Sequence, residues 1–112
     1  MAELIQETKD YIEALGYSKE DIQWIGGHDF TIPIDCFWKA APQVYDAGYG
    51  SQEVAMDLVI VFKDGSWLER QEYDGSEWWA YKRCPNMPLR IESVKRFVAA
   101  YDSTLARINN IK

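Results

Sequence analysis

The chain has 112 residues, of which 18 are acidic, 12 are basic and one is a histidine, and its net charge is −6 with that histidine neutral. This length allows one hydrophobic core and excludes a multidomain enzyme, so we expect a single domain over residues 1–112. The acidic balance argues against binding to a nucleic-acid backbone and favours either solubility or a basic protein partner.

The charge is unevenly distributed along the chain. Residues 1–80 contain 16 acidic and 5 basic side chains, a net charge of −11, whereas residues 81–112 contain 2 acidic and 7 basic ones, a net charge of +5. One explanation is a basic C-terminal element that neutralises the acidic part within the folded monomer. The other is a dipolar surface whose acidic end meets a basic protein.

The N-terminal region predicts two amphipathic helices. Apolar residues at helical spacing over residues 4–15, followed by Gly16 at the position of a C-terminal cap, predict the first helix. Ser18 and Asp21 resemble a capping box, which predicts a second, shorter helix over residues 18–24. Both helices would present an apolar side to the core.

A short strand and a short helix are predicted next. Residues 30–33 favour β-structure, and Pro33 suits a strand end or the edge of a sheet. Asp35 is placed to cap one or two helical turns over residues 35–40, before Pro42. A loop over residues 46–51 then leads into the most regular part of the sequence.

Residues 54–83 contain the same turn phrase twice. Asp64-Gly65 and Asp74-Gly75 each stand between apolar, β-prone runs. An Asp-Gly pair supplies the positive backbone angles of a tight hairpin, so the two turns predict a three-stranded antiparallel meander. Two-residue loops would fix the pairing, unless a bulge shifts it. The predicted pairs are Phe62 with Trp67, Arg70 with Trp79, and Glu72 with Glu77.

With this register the two faces of the meander differ in composition. The first face is mainly apolar and is expected to pack against the helices: it holds Val54, Met56, Leu58, Ile60, Phe62, Trp67, Tyr73, Trp78 and Ala80, interrupted by Glu69, Gln71, Ser76 and Lys82. The second face mixes aromatic and charged side chains, so it would need many paired charges to form a dry core. It holds Ala55, Val59, Val61, Leu68, Trp79 and Tyr81 together with Asp57, Arg70, Glu72 and Glu77.

A long C-terminal helix completes the predicted fold. Apolar residues keep a helical spacing over residues 91–108, after Pro85 and Pro88. The fold class is therefore α+β, with a three- to four-stranded antiparallel meander packed by the N-terminal and long C-terminal amphipathic helices.

The second face has the composition of a protein interface, because aromatic residues and arginine supply most binding hot spots. We therefore predict a protein-binding site formed by Arg70, Glu72, Asp74, Glu77, Trp79 and Tyr81. The alternative is that Trp79 and Arg70 form an intramolecular cation–π pair beneath a loop. Replacing Trp79 by Ala distinguishes the two, since a binding role predicts lost affinity and a packing role predicts a lower melting temperature.

Catalytic candidates are few, and we expect a protein that is not an enzyme and uses no cofactor or metal. His28 stands beside Asp29, as in the dyad of metal-dependent phosphohydrolases, but the sequence has no further histidine to complete a metal shell. A Cys36 nucleophile with His28 as base is a second arrangement, although free cysteine is most often a small buried apolar residue. A weak hydrolase that uses His28 is thus an alternative function.

A small-molecule-binding domain is an alternative from another class. Four aromatic residues would line its pocket beside the sheet: Trp24, Trp38, Tyr45 and Tyr49. Quenching of tryptophan fluorescence by a ligand would favour this alternative. Stacking of nucleic-acid bases on the tryptophans is not expected, because such platforms lie in basic grooves and these residues lie among acids.

Cysteine usage and hydropathy favour a reducing cytoplasm. Cys36 and Cys84 are too few for a disulfide scaffold, and the N-terminal residues lack the basic and apolar regions of a signal peptide. The longest apolar run, residues 58–62, is far shorter than a membrane span, so we expect no membrane partner.

The run Trp67-Leu68-Glu69-Arg70-Gln71-Glu72-Tyr73-Asp74-Gly75-Ser76-Glu77-Trp78-Trp79, followed by prolines, resembles a phrase of small uncharacterised bacteriophage and prophage proteins. The resemblance implies an inhibitor or accessory factor that binds a host protein with a basic surface in the bacterial cytoplasm, including an anti-CRISPR or other anti-defence role. The basic residues 81–112 depart from a uniformly acidic nucleic-acid mimic. A homodimer that uses the same sheet face is a further alternative.

Overall fold

The computed structural model of the protein describes residues 1–48 and 50–112. In chain order its elements are β1 (Ala2–Glu3), α1 (Leu4–Ala14), a 3-10 turn (Lys19–Asp21), β2 (Ile22–Gly26), β3 (Thr31–Ile32), α2 (Ile34–Trp38), β4 (Val44–Tyr45), β5 (Val59–Phe62), β6 (Trp67–Tyr73), β7 (Ser76–Lys82) and α3 (Leu105–Ile108). The predicted α1, β3 and α2 are confirmed within a few residues.

The described strands form an antiparallel five-stranded sheet in the order β3-β2-β5-β6-β7. β1 and β4 form a separate two-stranded pair beside the start of α1. The α+β class with an antiparallel sheet is confirmed. The sheet is larger than predicted, because β2 and β3 extend the meander on the side of β5.

β2 replaces the short helix that was predicted over residues 18–24. The Ser18 N–H donates to Asp21 Oδ2 at 2.8 Å, so the capping signal is used, but it caps only one 3-10 turn. Ile22 and Ile25 are both buried, and a register irregularity between Ile22 and Trp24 lets them point to the same side of the strand. A three-residue spacing typical of a helix is thus produced by a bulged strand.

The turn between β6 and β7 is the predicted two-residue loop. Asp74 and Gly75 have φ angles of 51° and 88°, as a tight hairpin with a right-handed twist requires. The predicted register of this hairpin is confirmed, since Arg70 lies opposite Trp79 and Glu72 lies opposite Glu77.

The turn between β5 and β6 contains one residue more than predicted. The Gly65 N–H donates to the Phe62 carbonyl at 3.0 Å, the Phe62 N–H donates to the Ser66 carbonyl at 2.8 Å, and Gly65 has a φ of 89°. Such a three-residue loop ending in a left-handed glycine is the next most common hairpin connection. Trp67 therefore lies opposite Val61, and the predicted Phe62–Trp67 pair is wrong.

This register shift between β5 and β6 reverses the predicted faces of β6 and β7, whereas Ile60 and Phe62 of β5 pack against the helices as predicted. The side of the sheet that packs against the helices, called the inner face here, carries Ile22, Ile25, Ile60, Phe62, Leu68, Arg70, Trp79 and Tyr81. Trp67, Trp78 and Ala80, which were expected to pack against the helices, lie on the opposite side. The register decides this outcome, because a slip of one residue turns every side chain of a strand to the other face.

α1 covers the inner face with a narrow stripe of buried residues. Leu4, Thr8 and Ile12 are buried at intervals of four residues, and they face the sheet. The Thr8 hydroxyl donates to the Leu4 carbonyl at 2.6 Å and accepts from the Trp79 indole N–H at 2.8 Å. The helix is therefore joined to the sheet by a buried hydrogen bond as well as by apolar packing.

The long C-terminal helix predicted over residues 91–108 is not present. Only α3 is helical in this part of the chain, and the Thr104 hydroxyl caps it by accepting from the Arg107 N–H at 3.1 Å. The buried core and the partly buried apolar residues that pack against it all come from residues 2–81. Most stability of a helix in a protein comes from packing of its apolar side, and residues 91–104 have no such support here.

Candidate functional site

The side of the sheet opposite α1 is an uncovered aromatic surface, called the open face here. Its side chains come from four strands: Trp24, Val59, Val61, Trp67, Glu69, Gln71, Tyr73, Ser76, Trp78, Ala80 and Lys82, the last of which lies opposite Trp67. The strand register places these side chains next to one another, because Trp24, Val61 and Trp67 are consecutive cross-strand partners. One surface thus brings together three of the five tryptophans of the chain.

Exposure varies across the open face. Trp78 is 44% exposed, whereas Trp24 and Trp67 are half-buried by their neighbours. Beside these two indoles lies a shallow cavity of about 330 Å³, bordered by Met56, which is 76% exposed, and by His28. Large apolar side chains around a small concavity are typical of protein interaction sites.

Glu69 lies in the middle of the open face with its carboxylate held in place. It accepts a hydrogen bond from the Trp67 indole N–H at 2.8 Å and another from the Gln71 amide at 3.0 Å. These bonds satisfy the indole donor and fix the orientation of the ring. A carboxylate that is hydrogen-bonded to an indole suits a cationic side chain, since both the charge and the ring face attract cations.

Three residues of the predicted binding site lie in the core instead of on a surface. Arg70, Glu77 and Trp79 are 6%, 4% and 4% exposed. Arg70 Nη2 donates to Glu77 Oε1 at 2.9 Å, and the guanidinium carbon lies 4.8 Å from the centre of the Trp79 ring. The alternative of an intramolecular cation–π pair is therefore the one the structure contains.

The buried arginine also reaches α1 and β4. Arg70 Nη1 lies 3.3 Å from Glu7 Oε2, and Nη2 donates to the Tyr45 hydroxyl at 3.2 Å. The Tyr45 hydroxyl in turn donates to Glu7. Desolvation of the Tyr45 phenol is the main cause of its raised pKa, and the hydrogen bond to Glu7 acts in the same direction. These charges are paired inside the molecule, so they hold α1, β4 and the sheet together.

Glu77 additionally anchors the loop that precedes β5. Its carboxylate accepts from the backbone N–H of Glu53 at 2.7 Å and from that of Val54 at 3.4 Å. The Glu77 N–H donates to the Ala47 carbonyl at 3.0 Å. The end of β7 next to the Asp74-Gly75 turn is therefore covered by the loop that contains Ala47, Glu53 and Val54.

The other predicted site residues lie at the two ends of the β6–β7 hairpin. Glu72 and Asp74 are exposed at the second turn, where Glu72 accepts from the Gly75 N–H at 3.1 Å. Tyr81 is half-buried at the far end and belongs to a cluster of hydroxyl groups. The six predicted residues therefore do not form one surface.

The hydroxyl cluster at the first turn is centred on Tyr17. Its phenol donates to Asp64 Oδ2 at 2.6 Å and lies 2.9 Å from Ser66 Oγ and 2.8 Å from the Tyr81 hydroxyl. The hydrogen bond to Asp64 is the main cause that raises the pKa of Tyr17 to about 12. The bonds from Ser66 and Tyr17 lower the pKa of the Asp64 carboxyl. The Tyr17 ring stacks on Phe62 with centroids 4.0 Å apart, so the cluster is part of the sheet packing.

The catalytic candidates His28 and Cys36 make few side-chain contacts among the described residues. His28 is exposed, and only its backbone N–H is engaged, donating to Asp57 Oδ2 at 2.8 Å. Cys36 is exposed on α2, and no hydrogen bond among the described residues joins it to His28. No group of three or more His, Cys, Asp or Glu side chains suited to a metal ion occurs within residues 1–48 and 50–112.

The aromatic residues of the predicted ligand pocket are distributed over separate surfaces. Trp24 borders the cavity of the open face, Trp38 ends α2 with the Lys19 ammonium over its ring, and Tyr45 borders a different groove. Tyr49 lies outside the described residues. The groove at Tyr45 has a volume of about 460 Å³ and is mainly apolar; its lining includes Leu4, Ile5, Ile32, Phe37, Val54 and Leu58.

The open face was not predicted from the sequence, because its composition depends on the length of the turn between β5 and β6. A signal was present: Asp64 is followed by Gly65 and Ser66, and the Asp64 carboxylate accepts from the Ser66 N–H at 2.9 Å. This side-chain turn favours the longer loop. With a three-residue loop, the alternation of β5 and β6 places Trp67 and Val61 on one side of the sheet.

No family model, no curated protein and no solved structure matches this chain. Within residues 1–48 and 50–112, no helix has the length and apolar character needed to cross a membrane.

Proposed function

We propose that the protein is a non-catalytic protein-binding module that acts through the open face of its sheet. The observation that carries this proposal is the placement of Trp24, Trp67 and Trp78 on the same side of the sheet as the oriented carboxylate of Glu69, a side that no helix of the described residues covers. Tryptophan is among the residues most enriched in binding hot spots.

The charge of the chain supports a cationic partner. Residues 1–80 carry a net charge of −11, and Arg70, one of their five basic residues, is buried in ion pairs. A basic surface on a partner would be attracted to this part of the molecule, and its Lys or Arg side chains would find the Glu69 carboxylate beside the Trp67 indole. The proposed partner is therefore a protein with a basic surface.

A narrower proposal is that this partner is a host protein, with the chain acting as a phage-type inhibitor or an anti-defence factor. The resemblance of residues 67–79 to small phage proteins supports it. The buried position of Arg70, Glu77 and Trp79 moves the proposed contact surface to the other side of the same hairpin.

The proposed role of the open face is tested by identifying a partner and measuring its affinity for variants of this face. The tagged protein would be used to capture partners from bacterial lysate at low and moderate salt, and captured proteins would be purified and titrated individually by calorimetry. We expect Trp78→Ala and Glu69→Gln to weaken binding by about tenfold or more while the fold is unchanged. Asp10→Lys, at an exposed position on α1, is the control for a change of charge away from the open face.

Binding that is unaffected by Trp78→Ala and by Glu69→Gln would contradict a role for the open face. Loss of binding only in Trp79→Ala, together with a lower melting temperature, would report an unfolded protein and not a lost contact. Glu72→Lys measures the contribution of the exposed second turn separately.

A second candidate function is binding of a small apolar molecule. The groove between α1, α2 and the loop before β5 has a volume of about 460 Å³, within the usual range of ligand pockets. A ligand in this groove would contact Phe37 and Tyr45. Replacement of Val54, which lines the groove, by Trp would fill it and abolish binding of an apolar probe. Unchanged probe binding in that variant would exclude the groove.

A further inference from the structure

The C-terminal segment, residues 87–112, exposes many apolar side chains and, among the described residues, contributes none to the hydrophobic core or to the apolar residues that pack against it. Its exposed large apolar residues are Met87, Leu89, Ile91, Phe97, Val98, Tyr101 and Leu105. Leu89 is 93% exposed and Phe97 is 71% exposed. The hydrogen bonds found for residues 90–112 within the described chain join these residues only to one another.

The shape of the molecule agrees with this isolation. The radius of gyration is 18.5 Å and the longest dimension is 54 Å. A compact chain of this length has a radius of gyration of about 13 Å. The excess arises because the segment extends from a core that ends at Tyr81.

The part of the chain that contains the open face and the C-terminal segment carry net charges of opposite sign, while on the open face itself Lys82 balances Glu69. Residues 1–86 carry 16 acidic and 7 basic side chains, a net charge of −9, while the segment carries 5 basic and 2 acidic ones, a net charge of +3. Both surfaces also expose apolar side chains. Opposite charges around apolar contacts favour association and fix its orientation.

The two surfaces are also complementary in size. As a helix, residues 91–108 would be about 27 Å long. The seven residues of β6 span about 24 Å. The predicted helical stripe would therefore lie along the full length of the open face, and packing on Trp67 and Trp78 would supply the support that the segment lacks in isolation.

The path of the chain directs the segment away from its own open face. Residues 83–86 border a cavity together with Tyr17 and Ser66, and Tyr17 packs on the inner-face residue Phe62. The chain therefore leaves β7 on the side of α1. To reach its own open face, it would have to reverse around the sheet edge.

We propose that the C-terminal segment of one chain folds as an amphipathic helix on the open face of a second copy, and that the second copy returns the same contact. This inference rests on the proposed function, because it assigns an occupant to the same surface. A reciprocal contact of this kind is a closed two-fold dimer. A partner protein with a basic surface would compete with the segment for the open face.

The test uses full-length variants in which one of the two surfaces is disabled. Phe97→Asp alters the segment, Trp78→Asp alters the open face, and both positions are exposed, so the core is retained. Self-association is measured by sedimentation equilibrium. We expect a dimer for the parent and at least about tenfold weaker association for each variant. Met87→Asp, which lies before the helical stripe, is the matched control and should dimerise like the parent.

Mixing the two variants distinguishes exchange between chains from docking within one chain. In an equimolar mixture, the intact segment of Trp78→Asp meets the intact open face of Phe97→Asp, so mixed dimers should form with one of the two contacts. A parent that is monomeric, with or without hydrogen-exchange protection of residues 91–108, would overturn the proposal. A dimer that neither variant weakens would also overturn it, since the interface would then lie elsewhere.

The test of the dimer can fail independently of the test of partner binding. Capture of a different protein by Phe97→Asp, with no dimer in the parent, would support the proposed function and reject the exchange. A dimer with no other protein bound would support the exchange and leave the open face with a single occupant.

Discussion

At the residue scale, two adjacent tryptophans have opposite environments because they alternate across β7. Trp79 is buried against Arg70 and donates to Thr8, while Trp78 is 44% exposed on the open face. We expect Trp79→Ala to lower the free energy of unfolding by about 3–5 kcal/mol, and Trp78→Ala to lower it by less than about 1 kcal/mol. Urea unfolding followed by far-UV circular dichroism measures both. Equal losses would contradict the face assignment.

The buried ion pair predicts a non-additive pair of substitutions. Arg70→Met leaves the Glu77 carboxylate buried without its partner, which costs about 3–5 kcal/mol of stability. Glu77→Gln removes the charge and keeps an oxygen that accepts from the Glu53 N–H. We therefore expect the double variant to be more stable than Arg70→Met alone. A double variant that is less stable by the sum of both losses would show that the charges act independently.

The hydroxyl cluster predicts a stability change at alkaline pH. The pKa of Tyr17 is raised from 10.0 to about 12, so its hydrogen bonds stabilise the fold fully below pH 10.0 and are lost as the pH rises through about 12. Tyr17→Phe keeps the stacking on Phe62 and removes this dependence. We expect the stability difference between parent and variant to shrink as the pH rises from 10.0 to about 12 in urea titrations. A constant difference would contradict the assigned hydrogen bond to Asp64.

At the element scale, local turn chemistry predicts a hairpin well but leaves the sheet incomplete. The alternation around Asp74-Gly75 is sufficient for the β6–β7 register, because a two-residue loop allows one pairing only. β2 was not predictable from periodicity, since Ile22 and Ile25 have the spacing of a helix and a bulge produces the same burial in a strand. The open face was missed for a similar reason, because the length of the first turn depends on the Asp64 side chain.

The hairpin of β2 and β3 depends on a close backbone approach. A Cβ atom added at Gly26 would lie 2.5 Å from the Phe30 carbonyl oxygen, whereas one added at Gly48 would meet no atom within 4 Å. We expect Gly26→Ala to lower the free energy of unfolding by about 1–3 kcal/mol and to release β3 from the sheet. Gly48→Ala is the matched control. Hydrogen exchange at residues 25–32 reports the loss, and unchanged protection there would contradict it.

At the scale of the whole molecule, the chain has two parts, an acidic part that forms the core and a basic C-terminal segment. The core uses residues 2–81, and the basic C-terminal segment lies outside it. The predicted long helix is absent because its apolar side has nothing to pack against within one chain, and no pattern in the sequence reveals whether a partner surface exists.

This division predicts a defined order of proteolysis. Trypsin should cut first at Arg90, Lys95 and Arg96, which are exposed, and leave a resistant fragment that ends near β7. The cuts should be faster in Phe97→Asp than in the parent, because the variant cannot place its segment on a second copy. Mass spectrometry of the digests identifies the sites. Early cuts at Lys9 or Lys63 would show that the core is less stable than its packing indicates.

The confinement of the core to residues 2–81 has an evolutionary consequence. Substitutions after β7 alter no buried contact of the sheet, so they are free of the constraint that folding imposes on the rest of the chain. With the proposed exchange of segments, variation in this region would alter the contact between two copies while the scaffold stays the same.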